Sequence, residues 1–235
     1  MRLERFLTVD DFKRVAERRV PRMFFQYADS GAYTESSYRA NSDDFFKIRL
    51  EQRIGVDISK RSLETTMLGR KVTMPLGLAP TGAAGMQAAD GEIKAARAAE
   101  KFGIPFTLST VSICSIEDIA EATTTPFWFQ FYVRKDRDFD ERLIDRAKAA
   151  KCAAIVVTMD CQLGGQRHKD VRNGLTVPLK FTPKFVAEMA MKPRWALSML
   201  GTRRRTFGNF AGHVPGKTTV PALAEWMGEQ DDLTL

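Results

Sequence analysis

From Pro75 to Asp160, apolar runs alternate with amphipathic stretches at a spacing that predicts strand and helix in succession. The runs are PLGLAP (75–80), IPFTLST (104–110), PFWFQFYV (126–133) and AAIVVTMD (153–160), with helices expected over Gly91–Phe102, Ser115–Ala122 and Asp138–Ala150. Parallel neighbours need a crossover helix, so this rhythm predicts parallel βα units with strands near 76–79, 105–109, 127–132 and 153–158. Each run ends in polar residues: Thr81, Ser109, Gln130 with Tyr132, and Thr158 with Asp160. In an α/β barrel the carboxyl ends of the strands carry the chemistry. Period two puts Gln130 and Tyr132 on one face, expected inward, and Phe129 and Phe131 on the other, expected outward beneath the helices.

The flanking regions follow different patterns. Thr8 and Asp11 form a capping signal for a helix carrying Phe12, Val15 and Ala16, and a second short helix is expected from Pro21 to before Gly31. The stretch Thr66–Met74 reads as a hairpin turning at Gly69-Arg70 and covering the bottom of the barrel. After Asp160 the rhythm stops, and one helix is expected around Phe185–Leu200. The chain reads as one domain: a helical extension and hairpin (1–73), four βα units (74–160) and a long loop insertion (161–235). Eight βα units need roughly 200 residues or more by themselves. The expectation is therefore a TIM-type (β/α)8 barrel with only about its first four units present, in a chain that stops before its domain does.

Composition narrows the class. At 44% hydrophobic and 28% charged, 235 residues hold enough apolar material for a core, which excludes intrinsic disorder. No stretch approaches the roughly 20 apolar residues that cross a bilayer, and MRLERFLTVDDFKRV has charges where a signal peptide would be apolar, so a cytoplasmic location is expected. Three cysteines and two histidines exclude disulfide and zinc scaffolds. The net charge of +7 permits anionic partners, but no nucleic-acid reading motif accompanies Arg203-Arg204-Arg205.

Taken singly, Ser109 and Thr158 read as satisfied buried hydroxyls, Tyr27 as a helix-packing residue and Arg167 as a solvated loop charge. Gln130 is a less ordinary choice, because burying an amide costs about 1–3 kcal/mol unless it is bonded. Taken together, PTGAAGM (80–86), FTLSTVSICSIEDIA (106–120), PFWFQFYV (126–133) and IVVTMD followed by GGQRHKDVRNG resemble, in order and spacing, the N-terminal two-thirds of the FMN-dependent 2-hydroxy-acid dehydrogenase and oxidase family. FTLSTVSIC with WFQFYV looks most similar to its bacterial L-lactate dehydrogenase branch.

The resemblance implies that Pro80, Thr81 and Gly82 lie beside the flavin ring of FMN, that Ser109 and Gln130 hydrogen-bond the ring, and that Thr158 reaches its pyrimidine side. It implies that Tyr27, Tyr132 and Arg167 bind substrate, Arg167 at the carboxylate, and that Tyr132 and Asp160 are catalytic, Asp160 by orienting the family's histidine base. The family's fifth-strand lysine, its Asn-His-Gly-Gly histidine, its second substrate arginine and its Gly-Arg phosphate stretch have no match, and His168 and His213 stand in other contexts. Loss of a general base removes typically 10²–10⁴ in rate, and phosphate binding in these barrels comes from the loops after strands seven and eight, so little or no turnover and poor FMN binding are expected of this chain alone.

Residues 178–213 interleave basic and apolar side chains and match an insertion that docks some relatives on the membrane, which implies peripheral contact with the inner face of the cell membrane. The implied activity is FMN-dependent oxidation of an L-2-hydroxy acid, L-lactate to pyruvate, by an enzyme that is a homo-oligomer when complete. The alternative is a catalytically silent truncated homologue that acts only by associating with membrane or with a homologue.

Overall fold

The computed structural model of the chain describes residues 3–159, 165–175 and 183–230. Helix α1 (Val9–Arg19) starts where Asp11 Oδ2 accepts from Leu7 N at 2.9 Å and Thr8 N at 3.0 Å, satisfying amide donors that helix geometry leaves unpaired. Helix α2 (Arg22–Ala28) follows Pro21 and buries Met23, and α3 (Ser36–Asp43) runs into a 3-10 turn over Asp44–Lys47. Strands β1 (Thr65–Met67) and β2 (Arg70–Val72) pair antiparallel. The two turn residues are Leu68 and Gly69, both at positive φ (44° and 76°), as the tight hairpin turn compatible with strand twist requires. Arg70 Nη1 donates to Pro126 O at 2.9 Å and Thr73 Oγ1 to Phe102 O at 2.6 Å, so the hairpin does cover the amino ends of the strands.

Strands β3 (Thr107–Leu108), β4 (Trp128–Tyr132) and β5 (Ala154–Thr158) form a parallel sheet in the order β3-β4-β5. The run expected at 76–79 joins it as a single parallel bridge, Leu78 to Phe106. Among the described residues the sheet does not close into a barrel. Between the strands lie α4 (Ala84–Gln87), α5 (Gly91–Phe102), α6 (Ile116–Ala122) and α7 (Arg137–Ala149). Helix α5 stops at Gly103 in the left-handed conformation, α6 starts at a reciprocal Ser115–Asp118 cap, and α7 starts where Asp136 accepts from Phe139 N at 2.9 Å. Phe129 and Phe131 lie buried among Ile93, Ile119, Phe139 and Leu143, as period two predicts. Each such burial contributes about 1.5–3 kcal/mol, enough to fix the register that turns Gln130 the opposite way.

The region 161–235 differs from the loop with one helix that the sequence suggests. Its described residues carry α8 (His168–Asn173), α9 (Pro183–Ala190), α10 (Pro193–Leu200) and α11 (Val220–Gln230). The helix expected over Phe185–Leu200 is two, because Pro193 lacks the amide a continuous helix needs and starts the second one instead. Helix α11 folds back on α7: Leu223 is fully buried, and the Trp226 ring lies 5.1 Å from Phe139 and 6.0 Å from Phe210.

Candidate active site

Three neighbouring strand ends hold one hydrogen-bonded row. Gln130, 2% exposed, accepts at Oε1 from Ser109 Oγ at 3.2 Å and Thr110 N at 3.1 Å, and donates from Nε2 to Thr158 Oγ1 at 2.8 Å. Thr110 Oγ1 also donates to Gln130 O. The sequence pattern places Ser109, Gln130 and Thr158 at neighbouring strand ends, and the structure brings them within bonding distance. A side-chain amide carries two N–H donors and only one of Gln130's is used within the row, so the row can still donate to a ligand.

Above the row runs the loop after the first strand run. Pro80 and Thr81 are exposed and Gly82 is half-buried. A β-carbon at Gly82 would lie 2.8 Å from Val111 Cγ2, 3.1 Å from Tyr27 Oη and 3.9 Å from Ser109 Oγ, so this glycine lets Tyr27 and the Ser109 loop close on one point. Ala83, at positive φ, donates to Val111 O at 2.9 Å, and buried Glu92 accepts from Gly85 N at 2.9 Å and Ile113 N at 3.0 Å. The Ala83–Val111 bond directly, and Glu92 as a bridge, tie this loop to the loop after β3. Beside them opens an apolar cleft of about 250 Å³, with Phe24, Tyr27, Met86, Val111, Leu175 and Phe207 among its walls.

Arg167 stands at the start of α8, with its guanidinium 5.2 Å from the centre of the Tyr27 ring. It pairs with Asp170 and donates to Tyr27 O and, at 3.1 Å, to Ser30 Oγ. Burial pushes the Tyr27 phenol above its ordinary value, so it stays a hydrogen-bond donor at neutral pH. Tyr132 ends β4 opposite Thr158 in the sheet register, half-buried. Asp160 lies outside the described residues.

The remaining candidates stand apart. His168 meets Tyr33 edge-on at 6.2 Å, while His213 sits near Arg146 and Glu117, where burial lowers its pKa. Burial also pushes the Cys114 thiol up and the Cys152 thiol to about 12, which leaves both as inert packing groups. Two polar residues outside the sequence-based reading, Glu92 and Asn209, are buried at the loops that carry Gly82 and Ser109. The apolar spacing of Phe207 and Phe210 hints that 208–209 faces inward, but no local pattern says toward which loop.

Residues 16–235 match the family of FMN-dependent dehydrogenases. The chain belongs to that family. Among solved structures it is similar to a monotopic membrane (S)-mandelate dehydrogenase, at 32% identity and a TM-score of 0.90 over 98% of this chain and 61% of that one. It is similar to a mandelate oxidase at 28% identity and a TM-score of 0.75 over 96% of this chain and 57% of the other. A Pediococcus acidilactici protein assigned as a lactate oxidase shows 30% identity and a TM-score of 0.70 over 79% of this chain and 51% of that one. The chain thus spans between half and two thirds of the length of these relatives. Since they are named for both mandelate and lactate, family membership leaves the substrate open.

FMN is the cofactor of this family. The donor set fits its ring: Ser109, Gln130 and Thr158 offer a fixed line of donors and acceptors, and the bare Gly82 α-carbon lets the Tyr27 hydroxyl close in beside them. The cleft also holds a buried polar atom, Gln87 Nε2, that has no hydrogen-bond partner among the described residues.

Proposed function

We propose that this chain forms the flavin-ring and carboxylate-binding side of an enzyme that oxidises L-2-hydroxy acids. The observation that carries this reading is the Ser109–Gln130–Thr158 row with Gly82, Tyr27 and Arg167 gathered beside it. Ser109, Gln130 and Thr158 would hold one ring edge of FMN, and Pro80, Thr81 and Gly82 would lie along its face. Bound FMN supplies a two-electron acceptor, so that a 2-hydroxy acid leaves as the 2-oxo acid.

The chain's own residues bind and orient. Arg167 offers the substrate carboxylate a charge-assisted pair, exchanging its contacts with Ser30 or the Tyr27 carbonyl for the ligand. Tyr27, kept protonated by burial, donates from beside Gly82, and Tyr132 approaches from the end of β4. Asp160 orients and charges the family's histidine base, for which residues 1–235 hold no match. The apolar cleft excludes water and receives the substrate's side chain. L-lactate, favoured by the likeness of the FTLSTVSIC motif, fills little of it, and the cleft admits an aromatic side chain such as that of (S)-mandelate.

Peripheral membrane contact belongs to the same proposal. No helix among the described residues is long and apolar enough to cross a membrane. Helices α9 and α10 and the turn between them expose Val186, Met191, Leu197 and Leu200 near Arg194 and Arg203, a mixture suited to lying on anionic lipid, and the similar (S)-mandelate dehydrogenase is a monotopic membrane protein.

The test supplies FMN to this chain and to a version extended with the C-terminal portion of the mandelate dehydrogenase. Flavin absorbance is followed with reduction of an artificial acceptor by L-lactate and (S)-mandelate. The extended protein is expected to retain flavin and oxidise at least one of the two acids. Absence of flavin from both proteins would sink the reading. Flavin binding without turnover of either acid would favour the silent homologue.

A further inference from the structure

Asn209 is fully buried, yet it comes from the part of the sequence that reads as a surface insertion. Its Nδ2 donates to Thr110 O at 3.0 Å and to Ser112 Oγ at 3.2 Å, with Ser109 O at 3.4 Å as a weaker third acceptor. Its Oδ1 accepts from Ile116 N at 2.9 Å. One amide thus spans the loop from the end of β3 to the start of α6. The preceding residue makes this approach possible. A β-carbon at Gly208 would lie 2.6 Å from Ser115 N and 2.7 Å from Ile113 O, both backbone atoms that cannot move aside cheaply. Gly208 N donates to Ser112 O at 3.2 Å, and Arg146 Nη1 holds Asn209 O at 2.8 Å from α7.

The loop that Asn209 fills is the one that orients Gln130. Gln130 Oε1 receives Ser109 Oγ and Thr110 N, and Asn209 bonds the carbonyls of those same two residues. Two donors on Oε1 decide which way the amide faces, and hence that Nε2 points to Thr158 and to the ligand side. A shift of the loop would leave a buried amide free to flip, presenting an acceptor where the ring edge meets a donor. Small displacements of a positioned group carry large costs in binding and rate.

We propose that Asn209 is a positioning residue for the flavin, acting through the Ser109–Ile116 loop to fix the orientation of the Gln130 side chain. The proposal rests on the flavin reading above. It makes the segment after α10 part of the cofactor site rather than an appendage to it.

Asn209→Asp keeps the acceptor for Ile116 N and replaces the donor by a carboxylate facing two carbonyls. Asn209→Ser is the milder variant, which keeps one hydroxyl donor should the first not fold. FMN titrated into the C-terminally extended protein, followed by flavin fluorescence, is expected to bind at least tenfold more weakly to Asn209→Asp, with Asn209→Ser in between. Backbone hydrogen exchange at Thr110 and Ser112 should speed up at least tenfold in Asn209→Asp while amides within α7, such as Leu143, stay as in the wild type. A purely structural role would instead raise exchange in α7 as well, and that outcome overturns the proposal. Equal FMN affinity in wild type and both variants overturns it too while leaving the flavin reading intact. An extended wild-type protein with no measurable FMN binding brings down the flavin reading and this proposal together.

Discussion

Gln130 Nε2 donates to Thr158 Oγ1 across two strand ends at 2.8 Å, and the Gln130 residue is 2% exposed. A bond of this kind is modest in net worth, but leaving its partners unpaired is costly. In Gln130→Leu the Thr158 hydroxyl, the Ser109 hydroxyl and the Thr110 amide all lose a partner that leucine cannot replace. The variant should unfold about 1–3 kcal/mol more easily in urea and, in the C-terminally extended protein, retain less FMN. Unchanged midpoint and unchanged flavin content would remove Gln130 from the site.

Gly82→Ala tests the close approach on the other side of the same space. The new methyl would meet Val111 Cγ2 at 2.8 Å and Tyr27 Oη at 3.1 Å, so either Val111 turns or Tyr27 retreats from the cleft. Overpacking of this kind costs roughly 1–3 kcal/mol. The expected result is a lower melting temperature together with altered Tyr27 fluorescence or hydroxyl accessibility. A variant indistinguishable from wild type by both measures would show that the loop has slack at Gly82.

The sequence carried the strand-end residues because period two and the βα rhythm are local signals. Gln130 and Phe131 separate to opposite faces whatever the rest of the chain does, and the Ser115–Asp118 cap is written in four residues. Helix α11 is also locally visible, in Thr219 before Pro221 and in the spacing of Leu223, Trp226 and Met227, but with no strand pattern nearby the region reads as a loop. The break at Pro193 is a single-residue signal that a longer amphipathic pattern masks. Asn209 lay beyond local reading altogether, since its partners stand about a hundred positions earlier in the chain. What joins them is the packing of Phe210 beside Phe139, a contact of tertiary structure.

Acid should weaken one particular tie between α6 and α7. Arg146 Nε and Nη2 hold the Glu117 carboxylate at 2.7 and 2.8 Å, and this pairing lowers the Glu117 pKa from 4.5 to about 2. A carboxyl whose pKa is depressed by folding stabilises above its unfolded value and loses that contribution as the pH falls through its folded value. Glu117 is about half exposed, so screening limits the pair to roughly 0.2–1 kcal/mol. Wild type should therefore exceed Glu117→Gln in stability at neutral pH, and the gap should shrink between about pH 4.5 and 2. A gap that is flat across that range would mean the pair contributes nothing to folding.

The sheet itself leads to the last prediction. By register Ile155 lies beside Phe129 and Val157 beside Phe131, yet the two phenylalanines are covered by helices while Ile155 and Val157 are 41% and 49% exposed. Beyond β5 no further strand is paired among the described residues, so its backbone edge is open as well. The chain before β1 adds a second uncovered surface: Phe46, Ile48, Leu50, Ile54, Val56 and Ile58 alternate with polar residues or glycine, and all are exposed. An open edge next to uncovered β-branched side chains is a template for pairing with another chain. The purified 235-residue chain should consequently self-associate, as measured by light scattering across a dilution series. Replacing both Ile155 and Val157 by lysine should shift it toward monomer, because a charge on each would have to be buried on association. Wild-type chain that stays monomeric at every concentration, or a double variant that associates as strongly as wild type, would show that this face and edge are not what chains use to meet.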